Sequence, residues 1–394
     1  MSIAPGPEVI SLGCRLNLAE SETIRALLAG ESDVVVVNSC AVTAEAVRQT
    51  RQAIRRARRA RPDARLLVTG CAAEVEREAL AQMPEVDGLV PNARKLDARA
   101  WNVPAAPTLA PKQRTRAFIA VQNGCDHSCT FCVIPQGRGA SRSLSVAQVL
   151  REVERHLAAG APEVVLTGVD VTSWGHDLPG TPSLGALVAA ILAAFPELAR
   201  LRLSSLDGVE IDPMLFDLLA GEARVMPHVH LSLQHGADLI LKRMKRRHLR
   251  HDAIELVARL RERRREIALG ADLIAGFPTE SDAHHADNLA IIEDLRIVHG
   301  HIFPYSPRPG TPAALMPQVA PPVIKHRAAQ LRSRVAQVRE DWLRSLLGTP
   351  LQVLAERDGT GHAGNFARVM LPAGAVPGTL LAITPTTLEQ GMLR

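Results

Sequence analysis

The sequence predicts an α/β protein in three parts. These are an N-terminal parallel-sheet domain (residues 1–102), a central partial (β/α)6 barrel (117–346) and a small C-terminal β-barrel (347–394), with a linker at 103–116. Three observations predict it. Short β-branched runs alternate with helical stretches through the first part. The alternation pauses at the Pro-rich "VPAAPTLAPKQRTR" and then resumes for six more units. After residue 346 the pattern changes to short strands between Gly/Pro turns.

"EVISLG", "DVVVVNS" and "ARLLVTG" read as strands, with "AESETIRALLAG" and "TAEAVRQTRQAIRRARRA" as helices between them. Strands that alternate with helices pair in parallel, because each crossover returns the chain to the same end. "AFIAVQ", "EVVLTG", "RLRLSS", "HVHLSL", "GADLIAG" and "GHIFPYS" form the second series, as expected for an open relative of the (β/α)8 barrel. The tail begins after the helix "HRAAQLRSRVAQVREDWLRSLLG". "TPLQVLAERDG", "NFARVMLP" and "GTLLAITP" then read as strands of a small β-module.

The chain has 46% hydrophobic residues, enough for real cores and against wholesale disorder. Lys and Arg outnumber Asp and Glu by 46 to 41, which permits a polyanionic partner without requiring one. "LGALVAAILAAF" (184–195) is too short to span hydrocarbon, so no membrane partner is expected. "MSIAPGPEVISLGC" lacks the basic and apolar regions of a signal peptide, and Cys14 lacks a lipobox. The expected location is cytoplasmic, where thiols stay reduced and clustered cysteines serve metals or catalysis.

Cys125, Cys129 and Cys132 stand in "NGCDHSCTFCVIP", a C-x3-C-x2-C loop after the first barrel strand. Three soft thiolates on one loop suit an iron–sulfur cubane with one iron left without a protein ligand. That iron can chelate the amine and carboxylate of S-adenosylmethionine. The competing reading is a zinc knuckle with His127 as fourth ligand. Cys14, Cys40 and Cys71 are scattered, yet each follows a predicted strand: "VISLGC", "VVVVNSC", "LLVTGC". Parallel strands end on one edge, so the three thiols should converge. The bland alternative is three separate buried cysteines acting as small hydrophobes.

"SLGCRLNLAESE", "VVVVNSCAVTAEA", "VTGCAAE" and "NGCDHSCTFCVIPQGRGASRS" resemble the radical S-adenosylmethionine methylthiotransferases. The likeness continues through "EVVLTGVDVTSWG", "LRLSSLDGVEID", "HVHLSLQHGADLILKRMKRR", "ADLIAGFPTES" and "HIFPYSPRPGTPAA" to a tail similar to a TRAM domain. The resemblance implies a radical core of that type and two 4Fe–4S clusters. Cys125, Cys129 and Cys132 would hold the radical-generating cluster, and Cys14, Cys40 and Cys71 an auxiliary, sulfur-carrying one. S-adenosylmethionine would serve as methyl donor and radical source. The implied cofactor contacts are Phe131, Arg142, Gly168, Asp170, Ser205, Gln234, Asp272, Ile274 and Gly276; the alternative for each is a turn or capping role.

Within the family, "LSSLDGVEID", "HLSLQ" and "YSPRPGTPA" resemble the type that methylthiolates carbon 2 of N6-threonylcarbamoyladenosine beside the tRNA anticodon. The isopentenyladenosine type usually has proline where Ser232 stands, and the ribosomal-protein type acidic residues where Arg308 and Pro309 stand. The chain departs from the family pattern at Thr279 (usually Gly), His235 (usually Ser) and Phe366 (usually Tyr). The implied partners are a tRNA anticodon loop, an electron donor of flavodoxin or ferredoxin type, and a sulfur donor. A non-catalytic iron–sulfur protein is the rival from another class.

The helix "VRQTRQAIRRARRARPDAR" crowds arginines on its outer face, with Arg51, Arg55, Arg58 and Arg59 as candidates for tRNA phosphates. "LKRMKRRHLRH" is a second basic stretch. A solvated helix face is the alternative for each. Aromatics are only 3%, so a splayed loop base fits better than broad stacking.

Overall fold

A computed structural model describes residues 6–103 and 115–394 of the chain; most of the expected linker therefore lies outside the described residues. The chain packs as two compact units. The first comprises residues 6–103, 122–142 and 306–315; the second comprises 115–121, 143–305 and 316–394.

The first unit opens with β1 (Glu8–Ser11), α1 (Arg15–Leu27), β2 (Val34–Ser39), α2 (Ala44–Ala60), β3 (Arg65–Gly70), α3 (Cys71–Val75), α4 (Arg77–Ala81) and β4 (Gly88–Leu89). The sheet is parallel throughout, in the order β1-β2-β3-β4. Its central strand needs a continuous valine run because both faces are covered. Val35 and Val37 face Ile54 of α2, whereas Val36 packs with Ile24 of α1 and Trp101. α2 starts where Thr43 accepts a hydrogen bond from the Ala46 amide, 3.1 Å away.

The chain passes through β5 (Arg116–Ala120) of the second unit and returns for β6 (Gln122–Asn123), the cysteine loop and α5 (Ile134–Arg138); β7 (Arg142–Ser143) follows. The loop thus belongs by packing to the N-terminal sheet rather than to the strand that precedes it, because α5 lies on α3.

The second unit continues with α6 (Val146–Ala158), β8 (Glu163–Thr167), α7 (Leu184–Ala194), β9 (Arg200–Leu203), α8 (Pro213–Gly221) and β10 (His228–Gln234). Then come α9 (Asp238–Arg243), α10 (Arg250–Arg263), β11 (Ala268–Ala275), α11 (Asp282–Asp294), β12 (Ile297–Pro304) and α12 (Pro321–Ser345). β5, β8 and β9 form one parallel sheet, and β10, β11 and β12 another. A parallel bridge between Leu206 and Leu231 links the two series. The six expected β/α units are therefore present. The apolar run at 184 is the buried helix α7, and no helix among the described residues is long and apolar enough to cross a membrane.

The C-terminal stretch holds β13 (Leu351–Ala355), β14 (Thr360–Ala363), β15 (Arg368–Met370), β16 (Leu380–Ile383), β17 (Leu388–Glu389) and β18 (Met392–Leu393). They form a mixed sheet in the order β16-β13-β14-β15-β18-β17, antiparallel except between β15 and β18. This sheet is tied to the amino ends of the barrel strands. Arg200 donates to the carbonyls of Gln352 and His362, and Arg202 to those of Ala363 and Gly364. Glu163 on β8 sits 2.8 Å from Arg202 and 3.6 Å from Arg200, all three side chains being almost fully buried. Phe366 packs between His228, stacked at 5.1 Å, and the Arg202 guanidinium, 4.8 Å from the ring centre.

Removing the only anion of this triad strands two guanidiniums in the interior. Glu163→Gln is expected to destabilise the protein by about 3–5 kcal/mol, read by denaturant unfolding. A change under ~1 kcal/mol would show that the carbonyls alone carry the arginines.

Candidate active site

Parallel register builds the first half of the site. Ser11, Asn38 and Thr69 stand side by side across β1, β2 and β3. Cys14, Cys40 and Cys71 follow this row by two or three residues, on the carboxyl edge of the sheet. Cys14 caps α1, Cys40 follows β2 directly, and Cys71 is the first residue of α3. Gly13 and Gly70 make the turns, both with φ near +93°, a region that side chains disfavour. A Cβ on Gly13 would stand 2.8 Å from the Cys40 sulfur, and one on Gly70 2.4 Å from the Ser39 carbonyl oxygen. Each glycine therefore lets its cysteine fold back over the strand ends.

The three cysteines stand along one edge of the sheet, and none is in a disulfide. Burial pushes the Cys40 thiol up to about 11; an amide from Val42 opposes the rise, and the Cys71 and Cys14 sulfurs add to it. Burial also raises Cys71, while Arg138 and Lys95 pull it down. The sulfurs are thus close enough to feel one another's charge. Unpaired soft donors of this kind fit an iron–sulfur cluster.

The second trio shares one loop. Cys125, Cys129 and Cys132 are half-buried or nearly so. The Cys125 amide donates to the Gly139 carbonyl at 3.1 Å, and the Cys132 amide to that of Cys129 at 3.2 Å. The Ile134 amide points at the Cys132 sulfur, 3.4 Å away, as amides do in cluster-binding loops. α5 then packs on α3 closely enough that a Cβ on Gly137 would be 3.2 Å from that of Cys71. Asn92 fastens this contact by donating to the Gly137 carbonyl at 2.5 Å. The two trios are therefore joined by one helix–helix contact inside one packing unit.

Around that contact lies a buried ionic network that sequence reasoning missed. Glu20 on α1 pairs with Lys95 at 2.6 Å and with Arg138 of α5 at 2.9 and 3.1 Å. Arg138 also donates to Asn17 at 2.5 Å and Asn123 at 2.8 Å. Lys95 donates to Asn38, whose amide bonds Ser21 and the Asn17 carbonyl. The three charged side chains are each 1% exposed. Burial favours the neutral acid, but Lys95 and Arg138 outweigh it and hold Glu20 below the usual carboxyl range. Asn17, Glu20 and Arg138 stand inside the quoted cysteine motifs, and that was the available signal; Lys95 had none.

Known proteins carry the same pattern. The chain matches the Radical SAM superfamily over residues 119–290 and the uncharacterized protein family UPF0004 over residues 8–91. It is 41% identical to the threonylcarbamoyladenosine tRNA methylthiotransferase MtaB of Rickettsia prowazekii (strain Madrid E), over 98% of this chain and 96% of that protein. The chain belongs to the radical SAM methylthiotransferases. It is also 32% identical to the tRNA-2-methylthio-N(6)-dimethylallyladenosine synthase of Erythrobacter litoralis (strain HTCC2594), over 91% of this chain and 88% of that one. Its fold is similar to that of the radical S-adenosylmethionine methyltransferase TsrM from Kitasatospora setae, solved with cobalamin and a 4Fe–4S cluster. That match has a TM-score of 0.53 at 18% identity and covers 75% of this chain and 68% of TsrM. The cofactors of this methylthiotransferase family are 4Fe–4S clusters and S-adenosylmethionine.

In the second unit, Gly168, Ser205, Gln234 and Gly276 lie at or just past the carboxyl ends of β8, β9, β10 and β11. Gln234 is held at φ +72°, in the left-handed region that favours glycine. Asp170 accepts from the Thr172 hydroxyl at 3.3 Å. Ile274 is buried, and Gly276 donates its amide to Glu280 at 2.8 Å. Asp272 lies deeper, within β11, and its carboxylate is shared by His230 and His301, each 3.0 Å away. The Ser204 hydroxyl, next to Ser205, is buried without a partner and is a further candidate. In the first unit, Phe131 is half-buried, and exposed Arg142 donates to the carbonyls of Arg138 and Ala140.

Arg48, Arg51, Arg55 and Arg59 line an open groove of about 440 Å³ on α2. Arg51 pairs with Glu76 at 3.0 Å, and Arg55 is 3.8 Å from Glu85. Arg58 differs: its guanidinium binds Asp87 and the carbonyls of Pro62, Ala64 and Glu85, so it pins α2 to the fold. In the second basic stretch Arg246 and Arg247 both bond Asp207, and Arg250 bonds the Gly236 and Asp287 carbonyls.

Because folding lowers the Glu20 value, its contribution is complete above the ordinary carboxyl value of 4.5 and is withdrawn as the pH falls below it. Unfolding midpoints measured from pH 7 down to pH 3 should fall more steeply for the wild type than for Glu20→Gln. Equal slopes would mean that Glu20 is not ionised in the folded protein.

Proposed function

We propose that this chain is a tRNA methylthiotransferase acting at carbon 2 of N6-threonylcarbamoyladenosine next to the anticodon. What supports the reading is that α3 and α5, which carry or follow the two cysteine trios, pack on one another. The substrate follows from the relatives named for this activity, 41% and 32% identical across nearly the whole chain.

Cys125, Cys129 and Cys132 would hold one 4Fe–4S cluster, and Cys14, Cys40 and Cys71 the other. When bound, these groups supply the electron that cleaves S-adenosylmethionine and the sulfur that joins the adenine. The protein's own part is to hold and shield. The Ile134 amide stabilises the Cys132 thiolate. Asp170 suits the cofactor's ammonium group, and Arg142, being exposed, its carboxylate. Within the second unit, Ser205, Gln234, Ile274 and Gly276, with Asp272 deeper in β11, suit contacts to the cofactor's nucleoside part, and Phe131 within the cysteine loop of the first unit is a further cofactor contact in this reading. Arg51, Arg55 and Arg59, with Arg48, suit phosphates of the anticodon stem; Arg58 orients the helix that carries them.

The regions 1–102, 117–346 and 347–394 take sulfur-carrying, radical and TRAM-like roles, the last as a second RNA contact. The reading also calls for a cytoplasmic location, a flavodoxin- or ferredoxin-type electron donor and a separate sulfur donor.

Nucleoside mass spectrometry of tRNA from cells lacking the gene tests the substrate. Methylthio-threonylcarbamoyladenosine should vanish while threonylcarbamoyladenosine accumulates. Unchanged methylthio-nucleosides would overturn the tRNA assignment, and loss of the methylthio-isopentenyl form alone would transfer it to that base. Separately, Cys40→Ala should retain S-adenosylmethionine cleavage but lose methylthiolation, followed with a synthetic anticodon stem-loop.

A further inference from the structure

Arg138 is a charge that neither cysteine motif explains. It stands six residues beyond Cys132, yet its side chain turns toward the other trio. Its guanidinium is 1% exposed and bonds Glu20 twice, Asn17 and Asn123. Its neighbour Gly137 backs onto Cys71, a Cβ there standing 3.2 Å from that of Cys71, and, against burial, the Arg138 charge pulls the Cys71 thiol down. Counting formal charges, Arg138 and Lys95 bring two positives and Glu20 one negative, leaving one buried positive charge. A residual charge inside a protein is costly unless an opposite charge meets it. A 4Fe–4S core of charge +2 held by three thiolates carries a net −1, which would balance it.

We propose that Arg138 is a positioning residue for the sulfur-bearing site: fixed by Glu20, Asn17 and Asn123, it orients the Cys71 thiolate and supplies the counter-charge of the cluster on Cys14, Cys40 and Cys71. The idea rests on the functional reading above. It adds that the loop of the radical site reaches across and sets the electronic poise of its neighbour. An anionic cluster next to a fixed cation gains an electron more readily, since the cation offsets the added negative charge. Arginine suits the task because its planar fork serves a carboxylate, two amides and a sulfur at once, and it does not lose its proton.

The test uses the full chain carrying Cys125→Ala, Cys129→Ala and Cys132→Ala, so that only the second cluster assembles, at about four irons per chain. Its potential is followed by EPR-monitored dithionite titration, with iron and sulfide content measured in parallel. Adding Arg138→Met should lower the reduced-to-oxidised ratio at fixed potential at least tenfold, a shift of about 59 mV for one electron. Arg138→Lys should restore most of the shift. Where Arg138→Met does not fold, Arg138→Gln, which keeps a polar but neutral side chain at this position, carries the same measurement. An unchanged potential in the neutral variants, or an equal shift in Arg138→Lys, overturns the inference. Absence of iron in the parent triple variant overturns instead the assignment of Cys14, Cys40 and Cys71 as cluster ligands.

Discussion

Parallel pairing of β1, β2 and β3 in one register is the constraint from which the rest of the site follows. A slip of one residue would turn each strand over and send its buried valines to the opposite face. The same register sets the strand ends level, so residues two or three positions beyond them meet. Cysteines far apart in sequence become neighbours without any long-range signal in the chain. The turns at Gly13 and Gly70 then bring the sulfurs over the sheet edge, where a side chain in place of either hydrogen would collide with Cys40 or the Ser39 backbone.

Placing thiols at a buried edge has an electrostatic consequence. Cys40 and Cys71 are harder to ionise there than in water. Iron bound there would have to displace those protons, and a nearby cation would make the displacement easier. Arg138 and Lys95 are such cations, and Glu20 makes their burial tolerable by ionising between them. The network thus serves stability and ligand chemistry together. Its members come from α1, the 92–95 turn and α5, so it also locks the cysteine loop onto the N-terminal sheet.

The strand–helix alternation and the strand-end positions of Cys14, Cys40 and Cys71 were legible because periodicity and motif spacing are local properties. The packing units were not, because sequence order assigns the loop at 122–142 to the barrel, whereas α5 packs on α3. Lys95 was invisible for a related reason: a lone lysine in "NARKLDARA" looks solvated until Glu20 is placed beside it. Arg58 shows the reverse. Its spacing on the outer face of α2 matches the other arginines, but a tertiary contact with the 85–87 turn takes up its donors. The two-residue strand pairs of the C-terminal sheet are likewise beyond pattern reading, since two residues display no period.

The departures from the family pattern find physical accounts in the second unit. Thr279 has φ +67°, a value that suits the usual glycine; here its hydroxyl compensates by accepting from Arg243 at 2.7 Å. His235 is fully buried, bonds Glu280 at 3.2 Å and accepts the Ala237 amide. It therefore joins the turn after β10 to Glu280 on the turn after β11, which in turn pairs with Arg327 of α12. Phe366, also at positive φ, contributes its ring face to Arg202 and Arg116 and stacks on His228. A cation prefers the ring face, and the packed ring occupies the amino-terminal side of the strand array. The C-terminal sheet thus fills the side opposite the carboxyl ends of the strands. Gly168, Ser205, Gln234 and Gly276 all stand at or just past those carboxyl ends, although they come from four different strands.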